Sequence, residues 1–292
     1  MGQLSETGRI TELVLKHAHE AFVRQANVDR QWLSLDYNAR PDFEYALEEY
    51  AEFVDLLEPW SLTLRCLSEA PGVGLDSIYV RDASAACARG VILCSMGKRA
   101  RDGEPAAQAA AFREWGVPIA GAIAPPGRLE GGDVVWLDDR TVLIGRGYRT
   151  NDDGIRQFRE VVDDAAVEVV TVPLPHWRGP GDVFHLMSML SPVDADLAVV
   201  YAPLMPVTLR ERLLDRGVTL VEVPDGEFES LGANVLAIAP RRCVMLDGNP
   251  RTRAALEAAD AEVRVYRGRE ISRNGGGGPT CLTRPIRRAA IG

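Results

Sequence analysis

The chain has 292 residues, of which 46% are hydrophobic, 26% charged and 7% aromatic, an ordinary globular composition that excludes a disordered, collagen-like or coiled-coil protein. Acidic residues number 42 against 33 basic ones, for a net charge of −9. Nucleic acid and anionic membrane surfaces reward a basic face and are not expected partners, whereas an acidic chain suits a small cation.

No apolar run reaches the ~20 residues of a membrane span. The first twenty residues lack a secretory signal pattern, and Glu6 breaks the myristoylation pattern. The five cysteines, Cys66, Cys87, Cys94, Cys243 and Cys281, are odd in number and form no CxxC pair. At least one thiol is therefore expected to be free, in a reducing, cytoplasmic setting.

In chain order, a first and looser unit reads as a strand in VDRQWLSLDY (28–37), a helix around FEYALEEYAEFVDLLEP (43–59) and a strand in SLTLRCL (61–67). The second has strands in YVRDASAACARGVILC (79–94), a helix in EPAAQAAAFREWG (104–116) and a strand in VPIAGAI (117–123). The third has VVWLDDRTVLIG (134–145) as two strands about an Asp-Asp-Arg turn. Its helix, NDDGIRQFREVV (151–162), places Ile155, Phe158, Val161 and Val162 on one face, and VEVVTVPL (167–174) follows as a strand. The order recurs at 184–224 and again at 233–267. Glycine- and proline-rich stretches are short, so no linker divides the chain. Five strand–strand–helix–strand units that cannot bury their apolar faces alone predict one α/β domain over residues 1–292, its units packed together and closed in a ring rather than laid out as a doubly wound sheet.

Each repeat carries one chemically able residue at the edge of its first strand: Asp82, Glu130, His185, Asn234 and Cys281, spaced by 48, 55, 49 and 47 residues. Equivalent positions of a pseudo-symmetric ring face one axis, so these five are expected to converge in a central channel. A thiol with an imidazole suggests covalent catalysis, with the thiolate attacking and the histidine moving protons. Two carboxylates do not suit an acyl oxyanion but do suit a planar cation with paired N–H donors, such as guanidinium. They should also raise the Cys281 pKa, so that a bound cation promotes the thiolate. The other four cysteines lie in apolar strand-like runs and read as inert core. No metal-ligand spacing is present, Gly145-Arg146-Gly147 is too short for a dinucleotide loop, and Gly275 to Gly278 lacks a phosphate-loop lysine.

The segments IYVRDAS, LEGGDV, FHLMS, GANVLAIAP and GGGGPTCLTRPI resemble, in family order, the guanidino-group-modifying (pentein) superfamily. Its members include dimethylargininase, arginine deiminase and the amidinotransferases. The resemblance implies a five-bladed α/β propeller with no cofactor, with Cys281 as nucleophile, His185 as general acid and base, and Asp82 and Glu130 holding the guanidine. Similarity to bacterial dimethylargininases further implies that Asp76 takes the substrate ammonium and that Arg101 and Arg149 take its carboxylate. Asp133 and Asn234 then complete the binding set, and the resemblance admits a homodimer.

The implied reaction is hydrolysis of arginine or an N-methylated arginine to citrulline, with deimination of arginine and amidino transfer as the alternatives. Two positions depart from the family patterns. Arg81 precedes Asp82, as in deiminases, where dimethylargininases usually have Glu. Met187 stands where deiminases carry the Asp of His-x-Asp, which removes a clamp on unsubstituted guanidine and leaves room for N-methyl groups.

Overall fold

The computed structural model describes residues 4–164, 166–181 and 184–289. Fifteen strands form five three-stranded sheets. In four of them the strands follow one another along the chain: β3 (Ser84–Cys87), β4 (Gly90–Leu93) and β5 (Ile119–Ala122); β6 (Val134–Asp138), β7 (Thr141–Arg146) and β8 (Glu168–Pro173); β9 (Leu190–Asp194), β10 (Leu197–Val200) and β11 (Thr219–Glu222); β12 (Val235–Ala239), β13 (Arg242–Leu246) and β14 (Glu262–Tyr266). The first two strands of each blade pair antiparallel through a tight turn, and the second and third pair parallel.

A parallel pair needs a crossover, and a helix supplies each one. These helices are α1 (Phe43–Asp55), α2 (Glu104–Glu114), α3 (Asp152–Val162), α4 (Val207–Asp215) and α5 (Pro250–Ala258). Asp42 and Asn151 cap α1 and α3 by accepting from the amides of Tyr45 and Gly154. Ile155 and Phe158 are buried, while Val161 and Val162 are half-buried on the same face.

The fifth blade departs from the sequence-based expectation. Its first strand is β15 (Arg284–Arg288), from the other end of the chain. β15 pairs antiparallel with β1 (Ile10–Leu15), which pairs parallel with β2 (Thr63–Cys66). The expected strand at 28–37 is instead a helix over Gln25–Gln31 followed by turns. Val28, Trp32 and Leu35 recur at helical spacing and turn inward, whereas Leu33 is 70% exposed. Cys66 also departs from expectation, since it ends β2 and is exposed.

Buried apolar residues run from blade to blade: Val14, Val80, Val91 and Ile286 form one cluster, Ala85, Val134 and Ile144 share another, and Leu143, Val199 and Met245 a third. The five sheets thus share their core around the ring in an α/β propeller. Among the described residues no helix is long and apolar enough to cross a membrane. The antiparallel turn between the first and second strands puts the start of every first strand at one end of the axis, and the residues that precede those strands meet there.

Candidate active site

Asp82, Glu130 and His185 precede β3, β6 and β9 and are buried together. His185 Nε2 lies 2.7 Å from Glu130 Oε2, and its Nδ1 lies 3.8 Å from Asp82 Oδ1. Glu130 Oε1 accepts from the Gly97 amide at 2.8 Å. Asp133 holds the histidine segment in place: its Oδ1 accepts from the Leu186 amide at 2.9 Å and its Oδ2 from the Thr150 hydroxyl at 2.6 Å.

The glycine pair in LEGGD is explained by proximity. A Cβ on Gly132 would stand 2.6 Å from His185 Nδ1 and 2.9 Å from Asp82 Oδ1, so no side chain fits there.

Cys281 and Asn234 approach from the other side. Asn234 Nδ2 points at Cys281 Sγ at 3.6 Å, and its Oδ1 accepts from the amide and hydroxyl of Thr280. A Cβ at Gly278 would fall 2.5 Å from Asn234 Oδ1, so the glycine run admits this side chain beneath it. Cys281, His185 and Asn234 line a cavity of about 170 Å³ together with Phe184, Met187 and Leu231. The five residues read from the repeat therefore do meet, three at the cavity wall and two carboxylates behind it.

The remaining sequence candidates lie in a buried ion-pair network beside the cavity. Asp76 pairs with Lys98 at 2.8 Å. Arg149 Nη1 donates to both oxygens of Glu130, at 3.2 and 3.3 Å. Arg101 differs from the expected carboxylate clamp. Its Nη1 meets Asp82 Oδ2 at 2.6 Å, its Nε and Nη2 both reach Glu104 at 2.8 Å, and Nη2 also meets the carbonyl of Tyr79 at 2.9 Å. Its guanidinium fork is thus occupied by protein acceptors, Glu104 above all, three residues away on α2.

The arginines that line the cavity are Arg178 and Arg273, which sequence reasoning missed. Arg273, just before the glycine run, carried the only local signal. His176 lies outside the lining, with Nδ1 2.6 Å from the Tyr148 hydroxyl.

Burial, then the Asp82 charge, pushes the Cys281 thiol up to about 11, against the hydrogen bonds from Thr280 and Asn234 and the charge of Arg81. Burial alone would lower His185, but Asp82, Asp133 and Glu130 outweigh it and raise it to about 9. Burial would raise Glu130, yet the His185 hydrogen bond and the charges of Arg149 and His185 hold it below the usual carboxylate range. Asp133 is raised to about 6 by burial. The resting site at neutral pH is therefore a thiol beside an imidazolium. Within it, Asp82 Oδ1 is buried and has no hydrogen-bond partner among the described residues. Asp82, Glu130 and His185 are also the one group, among the described residues, close enough to share a metal ion.

Residues 21–288 match the family described as N,N dimethylarginine dimethylhydrolase, eukaryotic. The chain belongs to this family. It is accordingly a hydrolase of the class that acts on amidine C–N bonds. The chain is 29% identical over 215 residues to an N(G),N(G)-dimethylarginine dimethylaminohydrolase of Streptomyces coelicolor, covering 72% of this chain and 74% of that one. It is 31% identical over 192 residues to an arginine deiminase of Rhodococcus erythropolis, covering 55% of this chain and 46% of the relative, so it spans less than half of that longer protein. In fold it is similar to the dimethylarginine dimethylaminohydrolase of Pseudomonas aeruginosa solved with citrulline, with a TM-score of 0.74 at 21% identity over 94% of this chain and 98% of that one.

Proposed function

We propose that this family member hydrolyses the guanidino group of arginine or an N-methylated arginine to citrulline, as one catalytic domain, through a covalent thiouronium on Cys281. The observation that carries this reading is the orphaned Asp82 Oδ1: a buried carboxylate oxygen without a donor, beside an imidazolium and a thiol. A guanidinium N–H supplies the missing donor, and its charge offsets the field that holds the thiol protonated.

The sequence of steps follows from these roles. Cation binding favours loss of the Cys281 proton to solvent, and the thiolate forms a C–S bond to the guanidinium carbon. His185 gives its proton to the nitrogen that leaves, the C–N bond breaks, and ammonia or a methylated amine departs. The now neutral His185 takes a proton from water, the hydroxide adds to the same carbon, its remaining proton passes to solvent, and the C–S bond breaks to give citrulline and free thiolate. Glu130 keeps Nε2 of the imidazole in place. Met187 and Phe184, both on the cavity wall, offer an N-methyl group an apolar neighbour where a carboxylate would favour a bare N–H.

Arg149, held through Nη1 alone, is the proposed carboxylate ligand, released from Glu130 as the guanidinium arrives. Arg101 becomes a positioning residue for Asp82, and Asp76 is proposed to take the ammonium in exchange for Lys98. Citrulline release from arginine, monomethylarginine, asymmetric dimethylarginine and agmatine tests the assignment. Turnover of the amino acids with little from agmatine supports it. Agmatine turnover equal to arginine removes Arg149 from its role, and a new guanidino product with added glycine redirects the reading to amidino transfer. Arg149→Ala should raise KM for arginine, whereas Arg101→Ala should lower kcat.

A further inference from the structure

Beneath the acidic site, at the seam where the ring closes, lies a second buried charge cluster of opposite sign. Arg81 is fully buried, and Arg284 and Arg288 on β15 are 3% and 4% exposed. One carboxylate, Glu6, faces two of them directly. It accepts from Arg81 Nη1 at 3.2 Å and lies 3.7 Å from Arg288 Nη2, outside hydrogen-bond distance. The other donors go to carbonyls: Arg81 Nε to Thr280 at 3.0 Å, Arg284 Nη2 to Arg81 at 2.6 Å, and Arg288 Nη1 to Gly8 at 2.5 Å and Ala237 at 3.0 Å.

Among the described residues, each guanidinium nevertheless keeps one buried nitrogen without an acceptor: Nη2 of Arg81, Nε of Arg284 and Nη2 of Arg288. All three side chains line one cavity of about 30 Å³, with Glu6 and Trp136. Three cations with one carboxylate among them, and Asp82 of the upper site acting on Arg284 only through space, leave an excess of buried positive charge, among the costliest features a fold can hold. Burial and the neighbouring Arg81 push Arg284 down to about 9, still protonated at neutral pH.

We propose that this cavity is a binding site for a small monovalent anion of the chloride or bromide class, held by Arg81, Arg284 and Arg288. The volume exceeds the ~10–15 Å³ that one water requires and has no room for a tetrahedral oxyanion. A neutral water would satisfy donors but leave the excess charge. A halide satisfies the donors, removes one charge and draws together three segments. These are the residues before β1, the loop before β3, and β15. The site lies one residue from the chemistry on two sides, because Arg81 precedes Asp82 and its amide donates to the Cys281 carbonyl at 3.2 Å.

The test is diffraction at the bromine edge from crystals of the wild-type chain grown in sodium bromide. Thermal unfolding in chloride, bromide and gluconate salts at equal ionic strength accompanies it. An anomalous peak within hydrogen-bonding reach of Arg81 and Arg288 is expected, with a saturable rise of a few degrees in Tm in halide only. Arg288→Gln should lose both. Wild-type crystals with bromide only at surface positions overturn the proposal, whether or not halide moves the Tm and whether or not the variant folds.

Discussion

Two buried charge clusters lie next to each other on the propeller axis, and they differ in which partner is missing. In the upper one, Asp76, Asp82, Glu104, Glu130 and Asp133 face Lys98, Arg101, Arg149 and His185, and among the described residues the fully buried atom of this set left without a partner is an acceptor, Asp82 Oδ1. In the lower one, two of three arginines face Glu6 and the atoms left without a partner are donors. A buried polar atom without a partner has a sign, and the sign names the class of ligand that completes it. On the proposed function the upper cluster is completed by a cation next to Cys281. The lower has no nucleophile and sits under the seam, so its completion bears on closure rather than chemistry.

Substitutions should respect that division. The largest effect belongs to Cys281→Ser, which should lower citrulline formation by about 10³-fold or more while leaving the unfolding transition in place. Full activity in this variant would leave the upper cluster without its covalent role.

Glu130→Gln should follow, lowering kcat by about 10²–10³-fold. It also moves a pH limb. His185 stands at about 9 with Glu130 among the causes, so removing that charge shifts the alkaline limb of kcat to lower pH. The same group bears on stability with a definite sign. A histidine raised in the folded state contributes fully below its unfolded value, about 6.5, and its contribution is lost as pH rises through 9. The wild-type Tm should therefore fall across that window, and the Glu130→Gln slope should be flatter.

Gly132→Ala drives a methyl group between His185 and Asp82 and should cost about 10²-fold in kcat through misplacement alone. The smallest effect on turnover should come from the lower cluster. Glu6→Gln is expected to destabilise the fold by about 1–3 kcal/mol in a denaturant titration, with kcat within about twofold of wild type. A large fall in kcat there would erase the distinction between the clusters.

The upper cluster was legible because its members recur: one residue before each first strand, about fifty residues apart, with the glycines of LEGGD and of 275–278 marking close approach. What stayed hidden has physical causes. Ile10–Leu15 carries strand-forming residues, but its partner β15 lies some 270 residues on, and local periodicity says nothing of so distant a pairing. The arginine cluster unites Glu6, Arg81, Arg284 and Arg288 through that same pairing. Arg101 is placed on the substrate carboxylate by resemblance alone, and only packing shows Glu104, at 3% exposure, holding its guanidinium. Arg178 reaches the cavity from a turn and Arg273 from the end of a short helical turn over Arg269–Arg273, outside the strands whose recurrence fixes direction.

The pairing of β15 with β1 also sets an order in time. A chain synthesised from its N-terminus emerges with four blades and every carboxylate of the upper site before Cys281 leaves the ribosome. Cys281, two of the three lower arginines and the strand that shuts the ring then arrive together, within eight residues. On the proposed chemistry, turnover at this centre waits for residue 281, and a nascent chain stalled short of it holds the acidic pocket without its thiol.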